Sequence, residues 1–141
     1  MKRALILYKS RTGITKKLGE NIGKYLREHN VVADIKPIEE AGIINLDGVD
    51  FLFLGCWTSG LMIIFQGPEK SWVEFARKLP DMSGVNTVLF TTYKLLTGSM
   101  FRNMQKHLKC GTDTSPLPVI KSRNSLLTGE GRTLLKQILE S

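Results

Sequence analysis

Three hydroxyl side chains and a glycine lie close together near the N-terminus: Ser10, Thr12, Gly13 and Thr15. They follow the apolar run 4–8 and precede a segment with helical periodicity, so we expect a strand-to-helix turn. The first turn of a helix offers N–H groups without intrahelical partners and the positive end of the helix dipole, which favour an anion. The three hydroxyls can donate further hydrogen bonds. The spacing predicts a phosphate site, with an ordinary helix cap as the alternative.

Five short segments have the composition of strands. They lie at 4–8, 31–35, 50–54, 87–91 and 116–120. The first, third and fourth are nearly continuous apolar runs, which is typical of parallel strands covered on both faces. The second contains Asp34 and the fifth contains two prolines, which cannot donate to a neighbouring strand. We therefore expect the second and fifth strands to be the outermost strands of the sheet.

Helix-like segments alternate with these strands. Apolar residues recur at helical spacing over 14–26, 72–79, 100–108 and 134–139, and a very short helix is expected around 39–44. Gly19 and Gly23 are poor helix formers, and we interpret them as allowing close approach of the first helix to the sheet. The alternation predicts a doubly wound, three-layered α/β fold with a five-stranded parallel sheet of order 2-1-3-4-5. Ligands of such sheets bind beyond the carboxyl ends of the strands.

Length and composition limit the class of protein. A chain of 141 residues, 42% of them hydrophobic, is expected to form one domain over 1–141. It has no apolar run long enough to span a membrane, and the apolar stretch after its basic start is too short for a signal peptide, so we expect a cytoplasmic protein. Cys56 and Cys110 form no Cys-x-x-Cys pattern, so neither a disulfide framework nor a zinc site is indicated.

The formal net charge of +7 is unevenly distributed along the chain. Segments 1–36 and 70–141 are basic, whereas 37–69 contains five acidic residues and no Lys or Arg. The basic residues are spread over helix-like segments and form no dense run with interleaved aromatic residues. We interpret them as solvated helix faces and do not expect nucleic acid as a partner.

Three loops meet at the carboxyl ends of the predicted central strands: 9–15, 56–67 and 92–99. The second contains Trp57 and the third contains Tyr93. Aromatic side chains at the ends of neighbouring strands can bracket a flat ring, while the first loop holds a phosphate. The alternative is that Trp57 simply covers the end of the sheet, since most aromatic side chains serve packing.

The pattern Ser-x-Thr-Gly-x-Thr directly after the first strand resembles the loop with which flavodoxins hold the phosphate of FMN. The segment 53–60 is similar to the end of the third strand in that family, and the resemblance covers essentially the whole chain. It implies a short-chain, flavodoxin-like fold with FMN as cofactor and no metal. The FMN-binding residues that it implies are Ser10, Arg11, Thr12, Gly13, Ile14, Thr15, Cys56, Trp57, Thr58, Ser59, Gly60, Thr92, Tyr93 and Gly98.

The resemblance implies a small carrier that shuttles electrons between redox partner proteins and has no catalytic residues of its own. Two alternatives remain: an FMN oxidoreductase, quinone-linked or NAD(P)H-dependent, that acts on its own substrate, and a flavin-free interaction module. The chain departs from the family pattern in having Ile14 where Asn is usual and in being basic, so its partners are expected to be acidic. The apolar tract 61–65 could cover the ring, pack against the third helix, bind a redox partner or form a homodimer.

Overall fold

A parallel sheet of five strands forms the centre of the fold in a computed structural model, which describes residues 1–58, 67–94, 97–112 and 115–141. The strands are β1 Arg3–Lys9, β2 Val32–Pro37, β3 Phe51–Trp57, β4 Asn86–Thr92 and β5 Val119–Ser122. The helices are α1 Ile14–Glu28, α2 Lys70–Arg77, α3 Met100–Gln105 and α4 Gly129–Glu140, and one 3-10 turn covers Ile38–Glu40. None of the helices in these ranges is long and apolar enough to cross a membrane.

The strand order is β2-β1-β3-β4-β5, and every neighbouring pair is parallel. The predicted doubly wound α/β fold and the predicted outermost strands are therefore confirmed. Because all five strands run the same way, they end at one side of the sheet, which we call the carboxyl edge. There Tyr8 lies beside Gly55, and Trp57 lies beside Thr92.

Helices cover both faces of the sheet, and each face has its own hydrophobic cluster. Residues of α1 and α4, such as Leu18 and Leu135, pack on one face with Ile6. Residues of α2 and α3, such as Trp72 and Met104, pack on the other. Neighbouring residues of a strand point to opposite faces, so the continuous apolar runs of β1, β3 and β4 supply both clusters. The residues of the predicted helical stripes therefore belong to the hydrophobic core.

Several predicted boundaries were wrong. The short helix expected at 39–44 is a single 3-10 turn that starts one residue earlier; Gly42 follows it with a φ of 62°, a left-handed conformation that ends helical geometry. The fifth strand begins at Val119 and not at residue 116, because the two prolines before it lack N–H groups for the ladder. The central strands are longer than predicted, as β3 continues to Trp57 and β4 to Thr92.

Glycines permit two close approaches in this core. A Cβ atom on Gly23 would press on the Ile35 side chain, as predicted, whereas one on Gly19 would make ordinary van der Waals contacts at 3.5 Å. The tightest position was not predicted: a Cβ atom on Gly55 would overlap the ring of Phe90. The glycine in β3 therefore makes room for an aromatic ring of β4.

Candidate functional site

The loop after β1 forms an uncapped start to α1. Gly13 precedes the helix with a φ of 91°, a conformation that glycine adopts at little cost. Its N–H donates a 2.9 Å hydrogen bond to Ser10 Oγ, which leaves the Ser10 O–H available as a donor. Among the described residues no side chain caps α1. The first-turn N–H groups and the Ser10 hydroxyl can therefore serve an anion.

A buried pair of hydroxyl groups joins this loop to the sheet. The Oγ1 atoms of Thr15 and Thr92 are 2.6 Å apart, and the two residues are 1% and 7% exposed. Within such a pair one O–H donates to the other oxygen, and the second O–H remains free to donate elsewhere. The hydrogen bond fixes the first turn of α1 to the end of β4, and it leaves one donor beside the loop that follows β1.

The indole of Trp57 is held in place at the end of β3. Its Nε1 donates a 2.8 Å hydrogen bond to Glu69 Oε2, and the Ser71 hydroxyl donates to the other carboxylate oxygen at 2.9 Å. The Arg11 guanidinium lies 5.1 Å from the centre of the Trp57 ring, within cation–π range. Contacts from both neighbouring loops thus restrict the orientation of this half-buried ring.

Tyr93 follows β4 beside the same part of the sheet. Its backbone N–H donates to the Ser122 carbonyl at 3.2 Å, which continues the pairing of β4 with β5. The Arg123 guanidinium lies 5.3 Å from the centre of the Tyr93 ring. Each of the two aromatic residues expected to bracket a ring is therefore accompanied by an arginine.

Threonines close the gap between the ends of β3 and β4. The Thr58 N–H donates to the Thr92 carbonyl at 2.9 Å, and the Thr58 and Thr91 hydroxyls are 2.8 Å apart. The Thr91 hydroxyl also donates to the carbonyl of Cys56. These bonds extend the ladder beyond the predicted strand ends, so the second and third loops begin at Thr58 and Tyr93.

The thiol of Cys56 lies beneath this edge and not on it. The side chain is fully buried in the cluster with α2 and α3, and burial raises the pKa of the thiol to about 12. A neutral thiol packed in the core offers no charge to a ligand. Any contact with a bound molecule would come from its backbone.

Acidic groups at the carboxyl edge are paired within the protein. Lys9 Nζ lies 2.6 Å from Glu39 Oε1 and 3.9 Å from Glu69 Oε1. The hydrogen bond to Glu39 raises the pKa of Lys9. Burial acts to raise the pKa of Glu39, but the Lys9 hydrogen bond and charge and a backbone hydrogen bond together leave it lowered. Both members of the closer pair are therefore charged near neutral pH.

The predicted site residues fall into three groups. Eight come together at the carboxyl edge: Ser10, Arg11, Gly13, Thr15, Trp57, Thr58, Thr92 and Tyr93. Four occupy other positions: Thr12 is exposed on the first loop, Ile14 is the 39% exposed first residue of α1, Cys56 is buried in the core, and Gly98 precedes α3 with a φ of 47°. Ser59, Gly60 and the tract 61–65 lie outside the described residues.

Sequence reasoning missed three residues that contact this site: Lys9, Glu69 and Arg123. Glu69 follows Pro68 at the start of α2, a position that indicates a helix start but not a bond to a tryptophan. Arg123 belongs to an otherwise ordinary turn after β5. No local pattern distinguishes these side chains from other surface charges.

Comparisons with known proteins agree with this architecture. Residues 5–63 match a family model described as the flavodoxin domain. The chain superposes on two-electron reduced Megasphaera elsdenii flavodoxin with a TM-score of 0.72, at 20% identity over 98% of this chain and 99% of that one. It superposes on oxidised flavodoxin 2 from Bacillus cereus with a TM-score of 0.67, at 16% identity over 98% of each chain. A search of curated protein sequences gives no significant match.

A longer protein contains the same fold as one part. The match to rubredoxin oxygen:oxidoreductase from the anaerobe Desulfovibrio gigas has a TM-score of 0.68 at 12% identity and covers 99% of this chain. This chain spans only 35% of the length of that oxidoreductase.

The sheet order, the helices on both faces and the loops at the carboxyl edge define a flavodoxin-like α/β protein. The match of residues 5–63 to the flavodoxin domain model confirms the resemblance to flavodoxins that the first loop and the third strand indicate.

Proposed function

We propose that this chain binds FMN at the carboxyl edge and carries electrons between redox partner proteins. The hydrogen bond between Thr15 and Thr92 is the observation that carries the proposal. It joins the anion-receptive start of α1 to the strand end beside Trp57. A molecule with a phosphate at one end and a flat ring at the other matches that arrangement.

The donors on the first loop suit the phosphate of FMN. Ser10 retains its O–H because it accepts from Gly13, and the Thr15–Thr92 pair retains one O–H. The uncapped N–H groups of α1 add main-chain donors at the positive end of the helix dipole. Ile14 contributes only its backbone N–H at this position, so main-chain donors must compensate for the missing side-chain amide.

The aromatic residues suit the ring of FMN. Trp57 presents a ring fixed by Glu69, and Tyr93 lies beyond the neighbouring strand end. Bound FMN supplies one-electron and two-electron chemistry, while the protein sets orientation and local charge. Arg11 lies close to the ring of Trp57, so positive charge is available to stabilise added electrons by Coulomb attraction.

The experiment separates a carrier from an enzyme. FMN-loaded protein is mixed without oxygen with a flavin-dependent NADPH reductase and cytochrome b5, an acidic haem protein, and cytochrome reduction is recorded with and without the protein. We expect the protein to accelerate electron flow and to show no turnover with NAD(P)H or quinones alone. Sustained turnover with either substrate, in the absence of a partner protein, would instead favour the oxidoreductase alternative.

A further inference from the structure

Exposed cations surround the candidate site at the carboxyl edge. Arg11 on the first loop, Lys17 in the first turn of α1 and Lys94 after Tyr93 are all exposed. None of them takes part in an ion pair within residues 1–58, 67–94, 97–112 and 115–141. The neighbouring segments 59–66 and 95–96 contain no acidic residue. These charges are therefore available to an external molecule.

Two acids of the same edge, Glu39 and Glu69, are paired with other side chains of the protein. Glu39 bonds to Lys9, and Glu69 accepts from Trp57 and from a serine hydroxyl. Glu40 is exposed, but it follows β2, which lies on the far side of β1 from β3. Glu20 on α1 is also exposed, but the exposed Lys16 and Lys17 precede it on the same helix. The part of the edge around β3, β4 and the start of α1 therefore presents net positive charge to solvent.

Two of the cations lie against the aromatic residues themselves. Arg11 is 5.1 Å from the ring centre of Trp57, and Arg123 is 5.3 Å from that of Tyr93. A partner that approaches these rings must therefore pass guanidinium groups. Positive charge at the point of approach accelerates association with an acidic surface and opposes a basic one.

We infer that this basic face docks an acidic redox protein. The inference rests on the proposed function, because electron exchange requires a redox centre to approach the bound cofactor. That requirement favours a protein over nucleic acid, which has no such centre. The arrangement of charges around two aromatic rings also suits a compact acidic patch on a protein.

A pair of matched variants tests the inference. The docking variant Lys17→Glu/Lys94→Glu reverses two charges of this face. The control variant Lys78→Glu/Lys106→Glu reverses two exposed charges at the C-terminal ends of α2 and α3, on the opposite side of the sheet. Both variants lower the net charge of +7 by four, so they make the same change in net charge at different places.

The probe is a small acidic iron–sulfur ferredoxin, and its binding to the apoprotein and to the FMN-loaded protein is measured calorimetrically. We expect wild-type affinity to fall about tenfold between roughly 20 and 200 mM salt, as screening of charge pairs requires. At low salt the docking variant should bind about tenfold more weakly, with the control within about twofold of wild type. Equal losses in both variants, or no loss in the docking variant, would overturn the inference.

Two further outcomes are decisive. The first uses a single-stranded oligonucleotide of about 20 nucleotides as a second probe. If the protein binds it more tightly than ferredoxin and the docking variant loses that binding, the face is assigned to nucleic acid and the inference is overturned. FMN binding is measured separately in each variant. Failure of wild type to bind FMN would remove the proposed function, whereas a failure confined to ferredoxin binding would remove only the docking face.

Discussion

The indole Nε1 of Trp57 lies 2.8 Å from Glu69 Oε2 and donates a hydrogen bond to it. The two residues are 12 positions apart, on the last position of β3 and at the start of α2. The carboxylate fixes a ring that the proposed function uses for stacking. Glu69 is thus a positioning residue, because it acts on a ligand only through Trp57.

Replacement of Glu69 by alanine should loosen Trp57. We expect FMN affinity to fall about fivefold to tenfold, because a hydrogen bond to a charged group contributes about 1.5–3 kcal/mol and only part of that acts on the ligand through the orientation of the ring. Tryptophan fluorescence, measured without FMN, should also change because the indole loses its partner. Ser71→Ala is the matched control, as it removes the other hydrogen bond to Glu69 and leaves Trp57 bonded. Unchanged affinity in Glu69→Ala would show that this bond does not orient the ring.

The hydroxyl pair Thr15–Thr92 should make the stability effects of substitutions at these two positions non-additive. Thr92→Val leaves the Thr15 hydroxyl buried without its partner, which should cost about 1–3 kcal/mol in the free energy of unfolding. The double variant Thr15→Val/Thr92→Val should be more stable than the sum of the single changes predicts, because no orphaned hydroxyl remains. Urea unfolding of all four proteins measures this coupling, and strict additivity would contradict it.

Gly55 and Gly19 should respond to alanine in opposite ways. Gly55→Ala places a methyl group in the ring of the fully buried Phe90, and we expect a loss of about 3 kcal/mol in stability. Gly19→Ala makes only ordinary contacts at 3.5 Å and improves helix propensity, so it should be neutral or stabilising by up to about 1 kcal/mol. Urea unfolding distinguishes them; a Gly55→Ala protein as stable as wild type would refute the packing argument.

Most of the fold could be predicted because its signals are local. The apolar runs of β1, β3 and β4 and the stripe of α1 follow directly from burial on two faces and from helical spacing. The end of β3 could not be predicted in the same way. Gly55 disfavours a strand by composition, and the reason it continues one is the ring of Phe90, which lies 35 residues further along the chain.

The candidate site likewise contains residues that the sequence could identify and residues whose role only the folded structure shows. Ser10, Thr15, Trp57 and Tyr93 could be selected because their types and their places after apolar runs are visible in the sequence. The role of Glu69 depends on how α2 packs beside β3, which no spacing rule encodes. The bond between Lys9 and Glu39 likewise joins positions 30 residues apart, so only the folded structure brings them together.

The buried thiol of Cys56 should make stability fall at high pH. Burial raises its pKa to about 12 in the folded state, from 9.0 for a free thiol. The contribution of the neutral thiol to the free energy of unfolding is therefore complete below pH 9 and is lost as pH rises toward 12. Each pH unit in that window should cost about 1.4 kcal/mol. Urea unfolding at pH 8 and pH 10.5, with reductant, measures the loss.

The comparison with Cys56→Ala isolates this thiol from lysines and tyrosines that titrate in the same range. The difference in stability between the two pH values should be about 2 kcal/mol smaller in Cys56→Ala than in wild type. Cys110→Ala is the control and should keep the wild-type pH dependence, because it retains the buried thiol of Cys56. Identical pH dependence in all three proteins would mean that Cys56 is not held neutral by burial.

Titration of the protein with FMN and with riboflavin, followed by quenching of flavin fluorescence, tests the central claim most directly. The two ligands share the ring, and only FMN carries the phosphate that the loop around Ser10 and Gly13 would bind. We expect one FMN per chain with a Kd of about 1 μM or lower, and riboflavin binding at least about tenfold weaker. No FMN binding, or equal affinity for riboflavin, would contradict a phosphate site at the start of α1.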